Sequence, residues 1–198
     1  MGNLSIKAVL KDTPVFRTRD AEGLNISRTQ LLELEQRGEV QRLARGIWAL
    51  GGYEPSENHS LAIVGKAVPG ARICLLTALR FHEVTTQNPH EVWIAIGVKD
   101  WKPKLKYPSL RVNRFSGAAW ELGLEEHVVD GVPIKVYTVA KTVVDLFRYR
   151  KKIGIDVALE GLREGWRYNR FTMDEIVPIA RSCRMLRIMQ PYLESLVA

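Results

Sequence analysis

The sequence predicts an α+β protein: an N-terminal winged helix-turn-helix followed by a mixed α/β C-terminal domain with a small sheet and several helices. Three observations lead there. Residues up to about 52 read helix, helix, turn, helix, hairpin in that order. Gly51-Gly52-Tyr53-Glu54-Pro55 then punctuates strongly and sets an expected domain boundary, 1–52 against 53–198. Beyond it, short apolar strand-like runs are interspersed with segments of helical period.

The elements follow in order. A first short helix is expected from about Leu4 to Asp12, broken by Thr13-Pro14. A second covers about Thr18 to Glu22 and closes at Gly23. Leu24-Asn25-Ile26 makes a turn with apolar anchors. Ser27 suits the N-cap of a third helix, Arg28 to about Arg37, and Gly38 suits its C-cap. At 100° per residue, Leu31, Leu32 and Leu34 are expected to form the core side of that helix. Glu39–Leu43 and Ile47–Leu50 read as two short strands joined across Ala44-Arg45-Gly46.

In the second part, helices are expected over about Asn58–Ala67 and Ile73–Phe81. The run VWIAI, Val92–Ile96, reads as a strand buried on both faces. Leu110–Phe115 and Val132–Tyr137 are further strands, and Val132, Ile134 and Val136 alternate. Helices follow over Val139 to about Tyr149, Ile155–Glu164, Met173–Arg181 and Met185–Val197, with Pro191 kinking or splitting the last.

Composition is that of an ordinary globular chain: 198 residues, 46% apolar and 26% charged. No apolar run reaches the roughly 18 residues of a membrane span. MGNLSIKAVLKD has no long apolar core or cleavage pattern, so no secretory signal is expected. Its resemblance to a myristoylation site is set aside, because Leu4, Ile6 and Val9-Leu10 read as a helix face. Cys74 and Cys183 imply no disulfide framework, and a reducing cytoplasm fits. The net charge of +7 favours a polyanionic partner without specifying one.

The third helix and the hairpin carry the candidate contacts. Thr29, Gln30, Glu33, Gln36 and Arg37 fall on the polar side of the helix, with Arg28 at the flank of its first turn. In a helix-turn-helix this N-terminal end enters the major groove, where Arg reads guanine and Gln reads adenine. The Ser27 hydroxyl and the free N–H groups of the first turn suit a phosphate. Taken alone, these residues are better read as the solvated face of an amphipathic helix, since charged faces are common. Arg42 and Arg45 flank the hairpin turn, and Gly46 permits its tight backbone. An arginine at a wing tip enters the minor groove or neutralises a phosphate, although an arginine on an edge hairpin also serves solubility. With the helix-turn-helix upstream, DNA contact is the favoured reading of Ser27, Arg28, Thr29, Gln30, Glu33, Arg37, Arg42 and Arg45.

The run GLNISRTQLLELEQRGEVQRLARGIWAL resembles the N-terminal winged helix of AbiEi-type antitoxins of type IV toxin–antitoxin and abortive-infection systems. Two later blocks, Ile73–Ile96 and Val132–Glu164, resemble the same family in order and spacing. Trp48 departs slightly, since the family often has Tyr there; either aromatic packs a hairpin onto helices. The resemblance implies an N-terminal domain that binds double-stranded DNA at inverted repeats in its own promoter and represses the operon. It implies a C-terminal antitoxin domain opposing a cognate nucleotidyltransferase toxin. It also suggests a monomer that binds paired half-sites cooperatively. Cysteine usage, the lack of a long apolar run and the lack of cofactor motifs add the expectations of a cytoplasmic location, no membrane partner and no cofactor.

Two basic stretches stand out in the second part. Val98–Arg114 carries Lys99, Lys102, Lys104, Lys106, Arg111 and Arg114 against the single Asp100, with Trp101 and Tyr107 interleaved. Such a pattern suits a nucleic-acid backbone or an acidic protein, and a solvated loop explains it too. Lys102, Lys104, Lys106, Arg111 and Arg114 are the candidate antitoxin or partner surface. Arg148–Lys152 places cations at a helix C-terminus, which the helix dipole accounts for. Lys141, Thr142, Asp145 and Arg148 share helical spacing, and an ion-paired helix face explains them without chemistry, Asp145 pairing with both Lys141 and Arg148. No metal-ligand spacing, phosphate loop or nucleophile elbow is seen, so no catalytic or metal residue is expected and the protein reads as a non-enzyme. Two other classes stay open: a nucleic-acid-processing enzyme that uses the winged helix for delivery, and a protein-interaction module.

Overall fold

The computed structural model describes residues 13–197. The expected helix Leu4–Asp12 lies outside the described residues. The architecture is mixed α and β, and the chain divides into two compact units. The first takes the chain up to Ala71 with residues 103–109 and 127–134; the second takes 72–102, 110–126 and the chain from Lys135 onward. The expected boundary near Gly52 therefore falls inside the first unit.

In the first unit the order is β1 (Val15–Arg17), α1 (Thr18–Glu22), α2 (Arg28–Gln36), β2 (Val40–Ala44), β3 (Ile47–Leu50) and α3 (His59–Ala67). The three strands form one antiparallel sheet in the order β1-β3-β2. Phe16 and Arg42 both stand opposite Trp48, and the pairing slips between Arg42 and Ala44. Phe16, Ala21, Leu31, Val40, Trp48 and Leu50 make the core, with Ile26 and Leu34 against it. Strand β1 goes beyond the sequence expectation. It is three residues long, too short to display an alternation, and it directly follows a proline that reads as a break.

The turns follow from residue chemistry. Asn25 takes positive φ, which Asn tolerates, and the Ile26 N–H donates back to the Ala21 carbonyl at 3.0 Å. Gly38, also at positive φ, ends α2: the Glu39 N–H reaches the Leu34 carbonyl at 2.9 Å. Helix α3 packs on β1 and β3, burying Leu61, Ala62, Ile63 and Val64.

The second unit is built on a five-stranded sheet in the order β6-β5-β4-β8-β7. The strands are β4 (Arg72–Ile73), β5 (Val92–Gly97), β6 (Leu110–Phe115), β7 (Leu124–Val129) and β8 (Val132–Tyr137). Residues 127–134 of the last two group with the first unit. Pairing is mixed: β4–β5 is antiparallel, whereas β4–β8 and β5–β6 are parallel. The helices are α4 (Leu75–Phe81), α5 (Ala118–Glu121), α6 (Val139–Ile153), α7 (Ile155–Arg167), α8 (Met173–Ser182) and α9 (Leu186–Val197). Helix α6 is the packing centre, with Val143, Val144, Leu146 and Phe147 fully buried.

Ile73 and Cys74 were expected in a helix. Ile73 instead pairs with Ile94 and Val136, and the extended Cys74 donates its N–H to the Trp93 carbonyl at 3.0 Å. A continuous apolar run such as ICLLTAL has no period to decide between the two. Elements α5 and β7 were not expected. Strand β7, LEEHVV, is an edge strand, where charged residues are tolerated and mask the alternation. Pro191 lies within α9, which is one element, as Pro178 lies within α8.

Gly51 marks the tightest backbone approach in the first unit. A Cβ there would meet the Gly38 carbonyl oxygen at 2.1 Å and the Glu39 carbonyl carbon at 2.9 Å. Gly51→Ala is expected to cost about 2–3 kcal/mol in urea unfolding. Gly70→Ala, with open space around the new methyl, should stay within about 0.5 kcal/mol.

Candidate nucleic-acid interface

Helix α2 begins on a capping box. The Ser27 hydroxyl oxygen accepts from the Gln30 N–H at 3.3 Å, and the Gln30 side-chain oxygen accepts from the Ser27 N–H at 2.8 Å. This satisfies two of the end groups a helix leaves open and fixes the direction of its first turn. It also engages Gln30: the amide oxygen proposed for adenine is occupied by the cap. Arg28, Thr29, Gln30, Glu33, Gln36 and Arg37 are all exposed.

The helix is less apolar than its three leucines suggested. Leu31 is fully buried and Leu34 half-buried, but Leu32 is 43% exposed. The expectation that Leu32 joins the core is corrected, and the geometry says why. Two residues along an α-helix turn it by about 200°, so Leu32 and Leu34 cannot share a face. Leu32 sits instead in the stripe of Arg28 and Gln36, one turn from each.

The hairpin turn is Arg45-Gly46, with Gly46 at φ +75°. Two bonds hold it to α1. The Thr18 N–H donates to the Gly46 carbonyl at 3.0 Å, and the Trp48 indole N–H donates to the Thr18 hydroxyl at 3.0 Å. Arg42 is exposed but spends part of its charge at home, with its guanidinium 5.7 Å from the Trp48 ring centre and its Nε donating to the Ala44 carbonyl at 3.4 Å. Arg45 is exposed at the tip. Neither Arg28 nor Arg45 is paired with a carboxylate among the described residues.

The basic stretch divides between the units. Lys104 and Lys106 belong to the first, Lys102, Arg111 and Arg114 to the second, and all five are exposed. Arg111 lies 3.8 Å from Glu91 and 5.4 Å from the Trp93 ring centre. Arg114 donates to the Gly97 and Val98 carbonyls at 3.0 and 2.8 Å. Asp100 accepts from the Gly97 N–H at 2.7 Å, so the single acid of the loop is committed to its turn. Trp101 is 95% exposed.

In the second unit, Lys141, Thr142 and Asp145 are not on a solvated helix face. All three are fully buried, and only Arg148 is exposed. The Lys141 ammonium donates to the Asp145 carboxylate and sits 4.2 Å from the Tyr137 ring centre and 5.0 Å from that of Phe115. Among the described residues the other Asp145 oxygen has no hydrogen-bond partner, so the expected pairing with Arg148 is not formed. Burial pushes the Asp145 carboxyl up to about 6, against the opposing pull of Lys141 and, more weakly, Arg148. Burial also pushes the Cys74 and Cys183 thiols up, away from the thiolate form that nucleophilic chemistry needs. No group of three or more His, Cys, Asp or Glu side chains placed to hold a metal ion occurs among the described residues. No helix among them is long and apolar enough to cross a membrane.

A capped helix exposing its polar face, followed by an arginine-tipped hairpin pinned to the preceding helix, is an arrangement suited to a transcriptional regulator. Comparison with known families places it more closely. Residues 5–51 match the family described as "Transcriptional regulator, AbiEi antitoxin". The resemblance seen in GLNISRTQLLELEQRGEVQRLARGIWAL is thus supported over that segment, and the family points to a regulatory or antitoxin role. The blocks Ile73–Ile96 and Val132–Glu164 lie outside the matched range. A comparison with curated proteins gives no match.

The buried pair generates two expectations. Lys141→Met or Asp145→Leu alone strands one charge and should cost about 3–5 kcal/mol, whereas the double variant should recover most of the loss in urea unfolding. The raised folded-state carboxyl binds its proton more tightly than the unfolded one, whose value lies near 4. The contribution of Asp145 to stability therefore grows as pH falls from about 7 through 6 toward 4. Unfolding titrations across that window should show this rise in the wild type and its loss in the double variant.

Proposed function

We propose that this protein is a cytoplasmic DNA-binding antitoxin that represses its own toxin–antitoxin operon. On this reading β1, α1, α2 and the β2–β3 hairpin form a winged helix-turn-helix. Helix α2 enters the major groove of inverted repeats in the promoter, and Arg45 at the hairpin tip contacts the adjacent minor groove or backbone. The observation that carries the reading is the family match over 5–51, falling on the segment that presents the capped helix and the arginine-tipped hairpin. Arg28, Thr29 and Arg37 are available to bases and phosphates and Glu33 to bases alone, and the Ser27 hydroxyl keeps its proton for a phosphate. Arg42 supplies backbone charge from beside Trp48.

The C-terminal part supplies the antitoxin activity against a nucleotidyltransferase toxin, bound directly or opposed functionally. The basic stretch of Lys102, Lys104, Lys106, Arg111 and Arg114 takes part in it. The match itself does not extend to this part of the chain.

Gel-shift titration on the DNA just upstream of the gene tests the first half. The wild type should bind that duplex in preference to scrambled DNA, with affinity falling steeply with salt. Arg28→Ala and Arg45→Ala should each weaken binding by about 1–3 kcal/mol, and Arg45→Ala should lower the salt slope by about one if it contacts a phosphate. Unchanged binding in both variants would sink the assignment. Charge reversal at Lys102 and Arg111 tests the second half: repression of a promoter fusion should persist while protection from the co-expressed toxin is lost. Loss of both together, or of neither, counts against it.

A further inference from the structure

The winged-helix reading leaves the one exposed apolar side chain of α2 without a role. Leu32 is the one large apolar side chain left exposed among the described residues up to Ala71. A single surface leucine is commonplace; its position is what matters. It stands in the middle of an otherwise polar stripe, one turn after Arg28 and one turn before Gln36. The core under the helix is already filled by Leu31, with Leu34 against it. Gln30, suited beside Arg28 to read a base edge from the first turn, has its amide oxygen held by the capping box. The face that α2 presents is therefore Arg28, Thr29, Leu32, Glu33 and Gln36, with an isobutyl group at its centre.

In the major groove only thymine offers an apolar group at the base edge, its 5-methyl. We propose that Leu32 is a specificity-determining residue that packs on a thymine 5-methyl in each operator half-site. This rests on the winged-helix reading above and adds a base to it. Four helical residues advance about 6 Å, so the thymine lies within about two base pairs of the base contacted by Arg28. A polar residue at this position would forfeit the methyl contact and gain nothing from thymine's single acceptor that it could not gain from guanine.

The test is a methyl-deletion scan. Each thymine of the upstream duplex is replaced singly by deoxyuridine, which removes the 5-methyl and leaves the pairing edge intact. Binding is titrated for wild type, Leu32→Ala and Leu32→Met, with thermal melts to show that each variant is folded. At one thymine per half-site, uracil should weaken the wild type about four-fold, the effect of one buried methyl-sized group. The same substitution should leave Leu32→Ala unaffected, while Leu32→Met should keep the dependence. Identical uracil profiles for wild type and Leu32→Ala overturn the proposal and leave the repressor reading standing. So does a change confined to cooperativity between half-sites, which would place Leu32 at a contact between copies of the chain. Failure of the wild type to prefer its upstream duplex over scrambled DNA overturns the repressor reading and this inference with it.

Discussion

The first unit depends on the tie between Trp48 and Thr18. Trp48 sits in the central strand, so its backbone is paired with β1 on one side and β2 on the other, and the residue is 3% exposed. Its indole N–H would be costly to leave unmade in that place; the Thr18 hydroxyl accepts it. The same residue donates its N–H to the Gly46 carbonyl, so a single threonine at the start of α1 holds both the middle and the tip of the hairpin. Helix α2 follows α1 through a turn locked by the Ala21 carbonyl. The spacing between the tip arginine and the exposed face of α2 is thereby set through α1 and short bonds. A site made of two separate elements acts as one only if something rigid joins them.

The second unit carries a constraint of the opposite kind. Lys141 and Asp145 are buried in the first half of α6, and the lysine is roofed by Tyr137 and Phe115. Gly123 is there because nothing larger fits: a Cβ would stand 2.5 Å from the Lys141 Cβ, and the backbone is at φ +63°. Its carbonyl takes the Thr138 N–H at 2.8 Å, joining the segment before β7 to the N-cap of α6. Such a pair adds little net stability. The two charges lie one turn apart on α6, so they are buried together, with the rings over the ammonium. The spacing of Lys141 and Asp145 is visible in the sequence; the aromatic lid over them comes from the sheet, Phe115 at the end of β6 and Tyr137 at the end of β8.

Legibility followed the range of the interaction. Caps and tight turns are decided by neighbours in sequence, and Ser27, Gly38 and Arg45-Gly46 all sit where their chemistry puts them. The strands with clear alternation or a continuous apolar run, β5, β6 and β8, were also readable. Asp130-Gly131, both at positive φ, is a hairpin signal of the same local kind, and it points to β7 even though Glu125 and Glu126 blur the alternation there. What could not be read is set by distant partners. Strand β1 exists because Val15, Phe16 and Arg17 have β3 to pair with, and Ile73 is extended because β5 and β8 flank it. The exposure of Leu32 was legible in principle from helical angles, but the apolar character of three leucines outweighed the arithmetic.

The charges of α2 and its hairpin divide the work of a DNA-binding unit on the proposed reading. From Arg28 to Arg37 there are two arginines against Glu33 and Glu35, so the helix brings no net charge to a polyanion. The hairpin brings Arg42 and Arg45 with no acid between Val40 and Leu50. Phosphate contacts supply affinity and register, and base contacts supply choice. Affinity then comes from the hairpin, whose position is fixed through Thr18. On that reading choice comes from a helix face with little net charge, whose one carboxylate, Glu33, disfavours close phosphates. A helix that added strong non-specific attraction would hold the protein on any DNA, and a face poor in charge avoids that. An apolar side chain at the centre of such a face adds discrimination without adding attraction to the backbone.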